Sequence, residues 1–189
     1  MIFEEAGLTE LLEQFGEEQV SLVLSDFVCR KNSEVEVFIK YKAVINERKG
    51  LSRTVLIFEN NNVVGYYDVS TKSFVLEEKL NSSQKKRFFG SSQTNGNIIP
   101  AILIGQLGKN ENVETTLSGS DLMSLIFNYI RNMSKYIPSM IVYVEHNGAD
   151  ALFRYYESQG FIHFPREREE KEKDIFCHII KTADILDMF

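Results

Sequence analysis

The sequence contains no tryptophan, two cysteines and three prolines in 189 residues. Two cysteines cannot form a disulfide framework, so Cys29 and Cys177 are expected to be thiols of a cytoplasmic protein. The longest apolar stretch, residues 98–107, is shorter than the roughly 20 residues that cross a bilayer. The first residues carry acids where a secretory signal needs bases, so neither an export signal nor a membrane partner is expected.

Positive charge is absent from one end of the chain. Residues 1–27 contain seven acidic residues and no basic residue, whereas the whole chain carries a formal charge of −6. This charge argues against indiscriminate binding of nucleic acids, because that binding depends on neutralising phosphates. It leaves room for a local basic patch elsewhere. The simplest interpretation of residues 1–27 is an acidic helical segment with a solvated face.

Several common catalytic motifs are also missing. The sequence has no P-loop, no Gly-x-Gly-x-x-Gly and no Gly-x-Ser-x-Gly element. His146, His163 and His178 do not have the spacing of zinc ligands, and there is no Cys-x-x-Cys pair. We therefore expect no nucleotide hydrolysis, no serine nucleophile and no metal cofactor.

The apolar pattern predicts an α/β fold with a mixed sheet. Helices are predicted at 8–15, 33–47, 117–130 and 149–158. Strands are predicted at 54–58, 63–69, 98–107, 140–144, 161–164 and 175–180, with a further short strand at 74–76 and a basic helical turn at 85–87. The length predicts one domain over residues 1–189, with a charged hairpin loop at 165–174.

The junction between the strand at 98–107 and the helix at 117–130 has the features of an anion site. Backbone N–H groups at the start of a helix can bind a phosphate, and the serines and glycine at 118–120 permit a close approach. Ordinary capping of the helix by Thr116 or Ser118 is the alternative. The residues alone leave both interpretations open.

Four blocks of the sequence resemble a known family. They are Cys29-Arg30-Lys31, Ser52-Arg53-Thr54 with Val64-Gly65-Tyr66-Tyr67, the strand at 99–107, and Tyr155-Tyr156-Glu157-Ser158-Gln159-Gly160-Phe161. Together they resemble the GNAT superfamily of acyl-CoA-dependent N-acetyltransferases. Within it they are most similar to the branch of toxin–antitoxin acetyltransferases that modify aminoacyl-tRNA. The resemblance spans about residues 29–161.

The resemblance implies a GNAT-like fold with splayed central strands. In that fold the pantetheine arm of acetyl-CoA, the co-substrate, enters between the fourth and fifth strands and pairs with the backbone of the fourth. The pairing stretch here corresponds to Leu107, Gly108 and Lys109. The loop that binds the CoA diphosphate corresponds to residues 112–117 and runs into 118–120. The expected contacts there are Thr115, Thr116, Leu117, Ser118, Gly119 and Ser120.

This loop departs from the family pattern, which is Arg/Gln-x-x-Gly-x-Gly/Ala. Residues 112–117 contain neither the basic residue nor the first glycines, and Glu114 is expected near the diphosphate. Gly119 and Leu122 match the pattern. A GNAT-like binding module that does not catalyse is therefore the alternative to a transferase.

Tyr156 matches the tyrosine that, in the family, protonates the departing CoA thiolate. A thiol pKa of about 8.5 and a phenol pKa of about 10 allow the hydroxyl to hydrogen-bond the developing thiolate and share its proton. The alternative is a residue that packs its helix onto the sheet. Glu145 and His146, at the end of the fifth strand named by the resemblance, are candidates for the base or are solvated residues of the strand end.

The leading expectation is an enzyme that transfers acetyl from acetyl-CoA to a primary amine of a small molecule, a protein or an aminoacyl-tRNA. With aminoacyl-tRNA as the substrate, the basic clusters at 30–31, 48–49 and 85–87 would contact phosphates. The toxin branch also implies an antitoxin partner, and family members are often homodimers.

Overall fold

The computed structural model describes residues 3–76, 82–89, 98–165 and 175–188. Its helices are α1 (Leu8–Phe15), α2 (Glu17–Ser25), α3 (Ser33–Val37), α4 (Ala43–Arg48), α5 (Ser82–Phe89), α6 (Gly119–Met133), α7 (Asp150–Ser158) and α8 (Thr182–Leu186). Its strands are β1 (Glu4–Gly7), β2 (Arg53–Glu59), β3 (Asn62–Val75), β4 (Ile98–Lys109), β5 (Ile141–His146), β6 (Ile162–Phe164) and β7 (Phe176–Lys181). None of the helices described is long and apolar enough to cross a membrane.

The strands form a seven-stranded mixed sheet in the order β1-β2-β3-β4-β5-β7-β6. β4 and β5 are parallel, with Ala101–Ile104 opposite Ile141–Val144. β2 pairs antiparallel with β1 and β3, and β7 pairs antiparallel with β5 and β6. The predicted α/β class with a mixed sheet is therefore confirmed. The register between β4 and β5 ends at Ile104, and β4 itself continues to Lys109.

The predicted elements are present with shifted boundaries. The short strand expected at 74–76 is instead the end of β3, and the helix expected from 117 begins at Gly119. The basic turn expected at 85–87 lies within α5. The charged hairpin loop at 165–174 lies outside the described residues beyond position 165.

Two features of the N-terminal half differ from the sequence prediction. Residues 1–27 were expected to be helical, but Glu4–Gly7 form the edge strand β1, which pairs with β2. The helix expected at 33–47 contains a π-helical turn at Phe38–Lys42 between α3 and α4. Neither feature has a local signature, because edge pairing and a π-turn depend on which tertiary neighbours the segment meets.

The chain divides into two compact units, which are described separately. Unit 1 comprises Met1–Ser70 and Gly105–Leu122, and unit 2 comprises Thr71–Ile104 and Met123–Phe189. One domain over 1–189 stays a prediction.

Unit 1 is organised around Tyr66, which is fully buried. The Tyr66 ring meets Phe27 edge-on at 5.2 Å and stacks on Phe38 at 6.2 Å, and its hydroxyl donates to the Val35 carbonyl at 2.7 Å. Tyr66 belongs to one of the family-like blocks, so that block builds the core here.

Two glycines of unit 1 are required by close packing. A Cβ at Gly65 would lie 2.9 Å from the Leu117 side chain and 3.0 Å from the Gly108 carbonyl oxygen. A Cβ at Gly108 would lie 2.4 Å from Val35 Cγ1. These contacts hold the end of β4 close to β3 and α3.

Unit 2 has its own aromatic core. Phe74 meets Tyr143 edge-on at 5.0 Å and Phe164 at 5.3 Å. Apolar residues of β4, β5 and β7 complete this cluster. Cys177 is buried in it as a free thiol, and Cys29 of unit 1 is likewise a buried free thiol.

The Asn110 side chain joins three segments of unit 1. Its amide nitrogen donates to the Val63 carbonyl at 2.9 Å, and its amide oxygen accepts from the backbone N–H groups of Val28 and Asn112, each at 3.0 Å. Asn110 is 5% exposed, so water cannot readily replace these partners.

We expect Asn110→Ala to lower the free energy of unfolding by about 2–4 kcal/mol, because it strands several buried donors and acceptors. Urea denaturation measures this loss. Asn112→Ala is the matched control, since Asn112 is exposed, and it should cost less than about 1 kcal/mol. Equal losses in the two variants would contradict the structural role of Asn110.

Candidate active site

The loop expected to bind a diphosphate is held by a carboxylate of the same unit. Glu59, the last residue of β2, accepts from the Thr115 hydroxyl at 2.5 Å on Oε2. Its Oε2 also accepts from the Thr116 backbone N–H at 3.1 Å, and its Oε1 accepts from the Thr116 hydroxyl at 2.7 Å. Both carboxylate oxygens therefore bind groups that were predicted to contact the cofactor.

These hydrogen bonds keep Glu59 ionised. The hydroxyls of Thr115 and then Thr116 stabilise the carboxylate and hold its pKa below the ordinary value. The next N–H of the loop, that of Leu117, donates to Thr115 Oγ1 at 3.0 Å. At neutral pH the turn therefore already binds an anion, which is the carboxylate of Glu59.

The start of α6 is capped in the ordinary way. The Ser118 N–H and hydroxyl donate to the Asp121 carboxylate at 2.9 and 2.5 Å, and the Asp121 N–H donates back to Ser118 Oγ at 3.1 Å. Hydrogen bonding by Ser118 lowers the pKa of Asp121. Gly119 and Ser120 form the first turn of α6. Capping by Ser118, one of the two sequence interpretations, is therefore present.

The side chain of Lys109, whose backbone alone was expected to take part in the site, contacts the turn. Its ammonium donates to the Leu117 carbonyl oxygen at 2.6 Å, which places a positive charge on the turn. Leu107 and Gly108 precede it on β4 and are half-buried. The sequence pattern lacked a basic residue in the loop itself, and Lys109 brings one from the preceding strand.

Several donors of the turn are already engaged by acidic side chains. The Thr115, Thr116 and Ser118 donors that would bind it are held by the carboxylates of Glu59 and Asp121. Sequence reasoning missed Glu59 because it lies 56 positions before Thr115, and only the folded chain brings the two together. Its sole signal was an acid at the end of a predicted strand.

Tyr156 lies in unit 2 on α7, where it is 5% exposed. Its ring stacks on His146 at 5.3 Å and meets Phe161 edge-on at 5.7 Å. Burial raises the pKa of the Tyr156 hydroxyl well above its ordinary value, and Tyr155 adds to this shift. The phenol therefore keeps its proton at neutral pH, and it hydrogen-bonds none of the residues described.

Two histidines beside Tyr156 form a buried pair. The Gly148 N–H donates to His146 Nδ1 at 3.1 Å, so a neutral His146 carries its proton on Nε2. That proton is donated to His178 Nδ1 at 3.0 Å. A neutral His178 then carries its own proton on Nε2, a buried atom that has no partner in the part of the chain the structure describes.

The pair is neutral at physiological pH. Burial, with a smaller repulsion from neighbouring histidines, lowers the pKa of His178 to about 4 and also lowers that of His146. Both ring nitrogens of His146 are engaged in hydrogen bonds. His146 therefore cannot take a proton from a substrate amine without breaking one of them, which disfavours it as the base. Glu145 is exposed on β5.

Among the residues described, no group of three or more histidine, cysteine or acidic side chains could hold a metal ion. His163 faces the pair, with its ring centre 5.3 Å from that of His178, but it is exposed. The three histidines form an aromatic cluster with Phe153 and Phe176.

Comparison with known proteins identifies the fold. No protein-family model and no curated protein sequence matches the chain. A solved structure of AtaTR bound with AcCoA matches with a TM-score of 0.72 and 18% identity over 99% of this chain and 98% of that one. The AtaT toxin bound to the C-terminus of its antitoxin AtaR matches with a TM-score of 0.67 and 16% identity over 100% and 98%. The chain has the fold of these toxins.

A third structure, AtaT complexed with acetyl-methionyl-tRNAfMet, matches with a TM-score of 0.67 and 22% identity over 88% of this chain and 91% of that one. The GNAT-like toxin fold that the sequence blocks implied is confirmed by these matches. At such identities the likeness concerns the fold, and residue roles need their own argument.

The histidine pair makes stability depend on pH. An unfolded histidine titrates at about 6.5, and the pKa of folded His178 is about 4. Below the unfolded pKa the unfolded chain binds protons that the folded chain does not, so acidification favours unfolding. We expect the contribution of His178 to the free energy of unfolding to be fully present above about pH 6.5 and to be lost progressively as the pH falls towards 4. Urea denaturation at a series of pH values measures this loss.

His178→Asn should remove part of this pH dependence, because the Asn oxygen can accept from His146 Nε2 without titrating. His163→Gln is the control: it removes only the smaller repulsion that acts on the pair, so most of the slope should remain. A His178→Asn variant with an unchanged slope would show that other groups cause the acid sensitivity.

Proposed function

We propose that the chain is an acetyltransferase of the toxin kind, which transfers acetyl from acetyl-CoA to the α-amino group of an aminoacyl-tRNA. The observation that carries the proposal is the likeness of fold along the chain to AtaT structures, which include complexes with AcCoA and with acetyl-methionyl-tRNAfMet. The family-like blocks of the sequence point to the same reaction.

In this proposal Tyr156 is the general acid. A transferase of this kind must protonate the thiolate that leaves the thioester, and a phenol, which carries its proton at neutral pH, can hydrogen-bond that thiolate and supply the proton. The free hydroxyl and the ring packing against His146 support the assignment, since they fix the ring and leave the oxygen available. The attacking amine must arrive neutral and close to the thioester carbonyl.

The proposed donor contacts lie in unit 1. We assign the pantetheine arm to the backbone of Leu107, Gly108 and Lys109 at the end of β4, with Thr115, Thr116, Leu117, Ser118, Gly119 and Ser120 as the neighbouring turn. The Lys109 ammonium supports this assignment because it places a cation on that turn. The carboxylate of Glu59 opposes a diphosphate there.

The proposed acceptor contacts are the exposed basic residues. Lys31, Lys49 and Lys86 are exposed and suited to phosphates, whereas Arg48 already pairs with Glu17. The same reaction could also use an amine of a protein or of a small molecule as the acetyl acceptor. The neighbour bound to the antitoxin AtaR supports the proposal of an antitoxin partner, and we also propose a homodimer and a cytoplasmic location.

A second candidate function is a binding module with the same fold and no catalysis. The occupation of the diphosphate turn by Glu59 specifically favours it. A cell-free translation assay separates the two functions. We expect the chain to inhibit translation only when acetyl-CoA is present; inhibition without acetyl-CoA, or none in either condition, would contradict the acetylation of tRNA.

Replacement of Tyr156 by phenylalanine tests the general acid. We expect Tyr156→Phe to lower kcat about 10²-fold and to leave KM for the donor within a factor of about three, because the phenol acts on the leaving group. Single-turnover acetylation of aminoacyl-tRNA gives the rate. Tyr155→Phe, one position earlier on the same helix, is the control and should retain nearly full activity. Equal rates for Tyr156→Phe and the unmodified chain would remove Tyr156 from the mechanism.

A further inference from the structure

The most unusual feature of the candidate site is that the donors of its turn bind a carboxylate of the chain itself. Turns that bind diphosphates present N–H and hydroxyl donors to a ligand anion. Here the Thr115 hydroxyl, the Thr116 hydroxyl and the Thr116 N–H all point to one internal carboxylate, that of Glu59. Glu59 is 8% exposed, so its charge is poorly hydrated and depends on these donors.

Glu59 also stands where it can repel a second anion. Its two oxygens are both engaged on the turn, and the ammonium of Lys109 donates to the Leu117 carbonyl. A diphosphate placed on Thr115 and Thr116 would have to compete for the same donors and would meet a like charge at close range.

Resting on the proposed function, we propose that Glu59 is a specificity-determining residue: its carboxylate takes the place of a donor diphosphate on the turn formed by Thr115, Thr116 and Leu117. The chain then recognises the acyl donor through its pantetheine arm and gains little from the diphosphate. The affinity for the donor is then nearly the same whether or not a diphosphate is attached to the pantetheine arm.

A purely structural role for Glu59 makes a different prediction. If the carboxylate only braces the turn, its removal destabilises unit 1 and exposes no anion site. If it replaces a ligand anion, its removal leaves a set of donors beside Lys109 that binds an added anion. The two roles therefore differ in anion affinity, and stability alone does not separate them.

The first experiment uses inorganic pyrophosphate and needs no turnover. We compare the full chain with Glu59→Gln, which keeps the side-chain shape, and with Glu59→Ala, which vacates the turn. Glu114→Gln is the matched control, because Glu114 is an exposed acid on the same loop. Circular dichroism melting confirms that each variant is folded before titration by calorimetry.

We expect pyrophosphate affinity to rise at least about tenfold in the Glu59 variants and no more than about twofold in Glu114→Gln, because of these two acids Glu59 is the one that holds the donors of Thr115 and Thr116. Equal affinity in all four proteins, whether weak or strong, would overturn the proposal. A folded Glu59→Gln variant suffices for this comparison if Glu59→Ala does not fold.

The second experiment compares CoA with pantetheine. In the unmodified chain we expect the Kd values of CoA and pantetheine to agree within about threefold. In Glu59→Gln we expect CoA to bind about tenfold more tightly than it binds the unmodified chain, and the Kd of pantetheine to stay the same. Strong preference for CoA in the unmodified chain, unchanged in the variant, would overturn the assignment. An inactive chain that gains pyrophosphate binding only in the Glu59 variants would refute the transferase function while supporting the occupied turn.

Discussion

Unit 1 depends on one constraint: the polar groups of the segment between the end of β4 and the start of α6 must all have hydrogen-bond partners. Buried donors and acceptors that lack partners cost free energy, so an irregular segment can pack against a core only if its groups are paired. Asn110, Glu59 and Asp121 supply those partners at successive points along the segment. A loop without glycine thereby keeps one conformation.

The sequence was sufficient for the class of fold. Apolar periodicity located most of the helices and strands, because burial on one face is a local pattern. It did not locate β1, whose strand character depends on pairing with β2. Nor could it find the contact between Glu59 and Thr115, since the two residues are joined only by the folded chain. Motif matching explained Gly65 and Gly108 as family features, and the structure adds that Leu117 and Val35 leave no room for a Cβ there.

The histidine cluster shows how a rule based on sequence spacing can overlook a group of residues that the fold brings together. The three histidines are far apart in sequence, but β6 pairs with β7 so that His163 lies opposite His178, and β5 brings His146 to the other side. Burial and repulsion between neighbouring histidines lower the pKa of His146 and His178 and favour their neutral state. The resulting surroundings of Tyr156 are aromatic and carry no ionised group among these partners, so the phenol retains its proton.

The two candidate functions place different demands on the two units. An interaction made equally with the bound donor and with the transition state changes KM and leaves kcat unaltered. If contacts to a diphosphate belong to that class, the proposed occupation of the turn by Glu59 weakens donor binding and leaves kcat unaltered. In the proposed mechanism the proton of Tyr156 belongs to the step itself. The test of an enzyme against a binding module therefore lies with the phenol of unit 2, whereas the turn held by Glu59 in unit 1 bears on how tightly a donor is bound.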